Sequence, residues 1–179
     1  LARIRDIRSS EKIFWRKVLD IYATSIDYDP RAEASQAFFA TVQNKMHWAI
    51  HGHTAAELVV SRLDPESPNL GITNWPGTAL RKSDASIAKN YLTEKELDEL
   101  NRIVTAYLEF AELQAMSRKP MTMEAWITKL DDFLKLSDRE ILTHAGAISH
   151  EVMLGKVDQA YQRYQALMRD EPTSMEKDM

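Results

Sequence analysis

An all-α fold is predicted by three features of the 179-residue sequence. Apolar residues recur at helical spacing over most of its length. Helix-interrupting residues are scarce, with 5 Gly and 6 Pro, and three of the prolines fall in one stretch, 64–83. Three strings of the form S/T-x-x-E, starting at Thr54, Thr93 and Ser137, read as capping boxes, in which a hydroxyl and a carboxylate satisfy free backbone donors reciprocally. The expected architecture is a single-domain helical bundle over residues 1–170, with one long irregular loop at about 64–83 and a polar tail at 171–179.

The elements follow in order. Residues 2–25 place Ile4, Ile7, Phe14, Val18, Ile21 and Tyr22 on one face among arginines and lysines, an amphipathic helix. Asp27 to Pro30 forms a turn, because the residue before proline avoids helix. A second helix over about 32–50 carries the stripe Phe39, Val42, Met46, Ala49 and Ile50, and Gly52 ends it. Thr54 opens a short helix to about Leu63. Within the long loop, a short strand pair near Gly71 to Thr73 fits the residues. Ser83 or Asp84 caps a short helix to Asn90. Residues 94–117 form the longest helix, with Leu97, Leu100, Val104, Tyr107, Leu108, Ala111 and Ala115 on one face. Pro120 precedes a helix at about 122–136, whose face is Met123, Trp126, Ile127, Leu130, Phe133 and Leu134. Beyond the capping box at Ser137, helical spacing runs from Ile141 to Leu167, with a break near Gly146.

Composition excludes several function classes. Net charge is −4, whereas a dedicated nucleic-acid domain is usually basic, so nucleic-acid binding by this chain is not expected. Cysteine is absent, which removes disulfides, thiol nucleophiles and Cys-bearing zinc sites and fits a reducing, cytoplasmic location. No apolar run reaches the ~20 residues of a membrane span. The first residues lack the apolar core of a signal peptide, and the chain opens inside a helical pattern without Met, as expected of a piece of a longer protein.

Candidate chemistry lies in three blocks. In the first, Asn44 and Lys45 pair an amide with a cation, as a phosphate site does. His47 and His51 are four apart and share a helix face, a spacing suited to two metal ligands. Without cysteine, and with Gly52 turning His53 away, no bound metal is expected. In the second, Asn74 and Trp75 belong to the long loop, and Lys82 and Ser83 precede a helix start, where free N–H groups attract anions. The glycines of a P-loop are missing there, and Asp84 suits a cap. In the third, Ser149 suits a cap, while His150 and Glu151 invite acid/base chemistry although helix neighbours point about 100° apart. The candidate catalytic residues are therefore His47, His150 and Glu151. The candidate substrate- or anion-binding residues are Asn44, Asn74, Trp75, Lys82 and Asp84. No metal or cofactor is assigned. Met153, Tyr161, Tyr164 and Leu167 form a packing or association stripe.

The strings FFATVQNKMHWAIHGHTAAELVVSRL (38–63), RKSDASIAKNYL (81–92) and HAGAISHEV (144–152) together resemble the bacterial RhuM family of virulence-associated proteins. The resemblance extends to about Ala166. The first block departs from the family's HWAITGKTAAE, so His47 matches the pattern and His51 and His53 do not. The resemblance implies a helical module of a larger protein with an N-terminal segment like a phage-type DNA-binding module. It is compatible with a degenerate Fic/Doc-like bundle, but the HPFxxGNxR signature of that module is absent, and AMP transfer is not expected.

Two functions follow. One is a non-catalytic module for protein-partner binding or self-association. The other is an enzyme acting on a phosphate-containing substrate through a His/Lys/carboxylate cleft. Convergence of His47, Lys82 or Asp84, and His150 on one cleft would favour the second.

Overall fold

The computed structural model of the chain describes residues 16–75, 79–117 and 119–170. These are 68% helical, and no strand occurs among them. The fold is all-α. The chain divides into two compact units, Leu1–Thr54 with Glu94–Ala145, and Ala55–Thr93 with Gly146–Met179.

Among the described residues, the first unit holds four helices. Helix α1 is described over 16–23, where Val18 and Tyr22 are buried; Ile4, Ile7 and Phe14 lie outside the described residues. Tyr22 packs on Phe38 with the rings tilted and meets the edge of Tyr28, and its hydroxyl donates to the Asp29 carbonyl at 3.2 Å. Helix α2 (Ala32–His51) buries Phe38, Val42, Met46 and Ala49 at 3–4 residue spacing. It stops at Gly52, whose φ of +75° is left-handed and whose N–H donates to the Trp48 carbonyl. Helix α4 (Glu94–Met116) and helix α5 (Met123–Leu136) both pack on α2. Their apolar faces are close to those the sequence predicts, with Leu97, Leu100, Val104, Tyr107, Leu108 and Ala111 buried on α4, and Trp126, Leu130 and Leu134 on α5. Ala115 is exposed, because the α4 stripe leaves the core one turn earlier than expected.

Two groups cap α5. The Thr122 hydroxyl accepts the Ala125 N–H at 3.0 Å, and the Asp27 carboxylate, from the turn after α1, accepts the Met123 N–H at 2.9 Å. Both satisfy donors that the helix itself leaves open.

The expected capping box at Ser137 does not open a helix. Ser137 instead closes α5, with its hydroxyl and N–H both donating to the Phe133 carbonyl. Asp138 turns left-handed at φ +59°, and Asp138 and Arg139 donate to the Lys135 and Leu134 carbonyls. That pair of bonds is a Schellman closure. The helix expected from Ile141 accordingly begins only at His150, and residues 139–149 are irregular.

The second unit contains helix α3 (Ala55–Arg62), two short 3-10 turns (Lys82–Ser86 and Ala88–Tyr91) and helix α6 (His150–Asp170). The 3-10 turns replace the single short helix expected there. Helix α6 buries Met153, Val157 and Ala160, and it packs on α3 and on the first 3-10 turn. Loop residues Leu70 and Ile72 are also buried. No strand forms at Gly71 to Thr73. The Asp64 N–H donates to the Leu70 carbonyl, and Leu70 and Gly71 both take positive φ. A Cβ on Gly71 would lie 2.1 Å from the Arg62 carbonyl oxygen, so this turn requires glycine. Asn90 fastens the unit internally, donating to the Asp84 carbonyl and accepting the Thr73 N–H. The buried Tyr91 hydroxyl donates to the Ala85 carbonyl at 2.6 Å.

Candidate functional site

In the first unit, α2 is the element that presents chemistry. Lys45 lies three residues after Val42 and four before Ala49, at the edge of the buried stripe, and it is only 8% exposed. A buried ammonium must be paired. Its Nζ donates to the Leu142 carbonyl at 2.7 Å and sits 2.9 Å from Oδ1 of Asp131 on α5. The second contact has ion-pair distance but not hydrogen-bond angles, so Asp131 Oδ1 is buried with no hydrogen-bond donor among the described residues. Arg139 donates to the Ala49 carbonyl at 3.3 Å, which places a cation at the negative end of α2 and ties the 139–145 segment to it.

Above this ion pair lies a cleft of about 520 Å³. Thr41, Asn44 and Lys45 line it from α2, Asp131 from α5, and Leu142 to Ala145 from the irregular segment. The Thr41 hydroxyl donates to the Ala37 carbonyl, so its lone pairs remain for a ligand. His144, at the rim, is exposed and meets Trp48 edge to face at 5.2 Å.

His47 does not line this cleft. Two residues after Lys45, it points about 200° around the helix. It is buried, and its Nδ1 lies 2.9 Å from His51 Nε2. One ring must donate and the other accept. Burial, reinforced by the His51 charge and opposed by Glu96, lowers the His47 pKa to about 3. His47 is therefore a neutral ring at pH 7. His53 is not turned away by Gly52; it stacks on His51 at 5.8 Å, and its Nδ1 lies 3.0 Å from the His51 carbonyl. Among the described residues, no group of three or more His, Cys, Asp or Glu could hold a metal ion.

The second unit holds the other candidates. Lys82 is exposed and pairs with Asp158 on α6. Asp158 lies eight residues beyond His150, about 12 Å along the helix. Asp84 is buried at 1% exposure and accepts the Arg81 N–H at 2.9 Å, which makes it a backbone partner. Asn74 is buried and donates to the Thr73 hydroxyl, while its Oδ1 and the Trp75 Nε1 have no partner among the described residues. Ser149 caps α6 by accepting the Val152 N–H at 3.1 Å, with His150 and Glu151 exposed in the first turn. The three sequence blocks are thus divided between the units, with Asn44 and His47 in the first and the remaining candidates in the second.

Asp131, Thr143 and His144 are not among the residues the sequence singles out, and Lys45, paired there with Asn44 as in a phosphate site, is not recognised as buried. The available signal was the position of Lys45 beside Val42, Met46 and Ala49 on the helix wheel. Its partners, on α5 and at Leu142, leave no local pattern.

No helix of the described residues is long and apolar enough to cross a membrane. No curated protein and no solved structure matches the chain. The profile of the Virulence protein RhuM family matches residues 1–172. The match takes in all three sequence blocks and reaches into both units, and the chain belongs to the RhuM family.

Proposed function

We propose that this chain is a non-catalytic helical module of a cytoplasmic RhuM-family protein, and that it mediates association with a protein partner, in the first instance a second copy of itself. The observation that carries this is the end of α4. Leu113 and Met116, one turn apart, are 64% and 76% exposed, and they continue the face of the half-buried Phe110. Single exposed apolar residues are ordinary, but two large ones one turn apart are the kind of surface that association covers. The polar candidates support the same reading. Lys82 is paired with Asp158, Asp84 is committed to the backbone, and Ser149 is a cap.

The absence of cysteine makes the test clean. Met116→Cys introduces the sole thiol of the chain, and a short bismaleimide is added at a protein concentration where chance collisions are rare. A covalent dimer is expected, and Leu113→Glu in the same chain should abolish it. Monomer alone, or a dimer yield unaffected by Leu113→Glu, would contradict the proposal.

A further inference from the structure

The cleft over Lys45 and Asp131 is a site of another kind, independent of the association surface. Its floor is an ion pair, which a ligand meets as a neutral donor–acceptor pair. Lys45 has three N–H bonds, and one is directed at the Leu142 carbonyl; the contact with Asp131 Oδ1 is an ion pair without hydrogen-bond angles, so donor capacity remains on the ammonium. The Asp131 side chain is 23% exposed although its Oδ1 is buried, so the carboxylate retains accepting capacity toward the cleft. The Thr41 hydroxyl, having given its proton to Ala37, adds a further acceptor.

These charges rule against phosphate. The one cation on the floor is already neutralised, and an anion entering the cleft would face the Asp131 carboxylate. A bare cation would compete with Lys45 for the same carboxylate. The group that fits is neutral and carries an acceptor beside a donor, with its oxygen toward Lys45 and its N–H toward Asp131. Ala40, Ala145 and the Leu142 side of the cleft give it an apolar wall. The volume, about 520 Å³, lies within the range of small-molecule sites.

We infer that this cleft binds a small neutral ligand through a primary carboxamide, held by Lys45 and Asp131 together. Nicotinamide is a suitable probe and nicotinate its control, since the two share a ring and differ in replacing the amide by a carboxylate. Both are titrated into the ¹⁵N-labelled full chain, and amide resonances are followed. Nicotinamide should shift residues 40–45 and 142–145 saturably in the millimolar range. Nicotinate should bind at least about tenfold more weakly, the effect of losing one good hydrogen bond and gaining a repulsion.

Two variants complete the test. Ala40→Trp, at an exposed lining position, fills the mouth without touching the ion pair and should weaken nicotinamide at least about tenfold. Lys45→Met with Asp131→Leu removes both charges together, which usually leaves a fold intact, and should abolish the shifts. No saturable shift with nicotinamide would overturn the inference. So would equal binding of nicotinate, or shifts that survive the double substitution.

Discussion

At the scale of the residue, His47 makes the strongest stability statement. Its folded pKa is about 3 against an ordinary 6.5, mainly through burial. Between those values the unfolded chain takes up a proton that the folded chain refuses. The stability contributed by the neutral ring is complete above pH 6.5 and is lost as pH falls toward 3. Its slope is about 1.4 kcal/mol per pH unit over that window. His47→Phe should flatten the acid limb relative to the parent chain. Urea denaturation at pH 4, 5 and 7 checks this; parallel limbs in the two proteins would show that His47 is not the buried neutral group. Gly71 and Gly52 give a second contrast. Both take positive φ, but a Cβ at 71 meets the Arg62 carbonyl, while one at 52 meets nothing. Gly52→Ala should cost about 1 kcal/mol. Gly71→Ala should cost at least about 2 kcal/mol, because strain and a backbone clash coincide. The same denaturation experiment ranks them, and equal costs would contradict the described loop.

At the scale of the element, α5 shows how a helix start and stop can be confused. Asp138 stands at the left-handed position after the helix where glycine is common. Asp138→Gly should therefore stabilise the chain by about 1 kcal/mol, by relieving positive φ. Thr122→Ala, at the other end of α5, should destabilise it by about 1 kcal/mol. Thermal unfolding of the two variants should move in opposite directions; movement in the same direction would argue against these caps. Helices α2, α4 and α5 were legible because their core contacts repeat every 3–4 residues and leave that period in the sequence. The stop at Ser137 was not legible. Ser-Asp-Arg-Glu satisfies the pattern of a capping box, but the Ser137 hydroxyl turns back to Phe133, and without a glycine the left-handed residue carries no marker. The region 82–91 was misread for a related reason. Asn90 and Tyr91 return side-chain bonds to Asp84 and Ala85, and these hold tight 3-10 turns that a helical period does not foretell.

At the scale of the whole molecule, the all-α class and the family were legible, because both rest on patterns spread along the chain. The cleft was not. Lys45 donates to a carbonyl 97 residues downstream, and such a pairing becomes visible only when the irregular segment after α5 folds back on α2. The exposed end of α4 was also hidden, since Leu113 and Met116 carry the same signal in sequence as core residues. These two side chains support the central proposal, association through the end of α4. The most direct measurement is sedimentation equilibrium of the chain over a wide concentration range, beside Leu113→Glu/Met116→Lys. We expect the parent chain to show a concentration-dependent mass above that of the monomer and the variant to remain monomeric with its helical circular dichroism unchanged. A parent chain that is monomeric throughout, or a variant that associates equally well, would contradict the proposal.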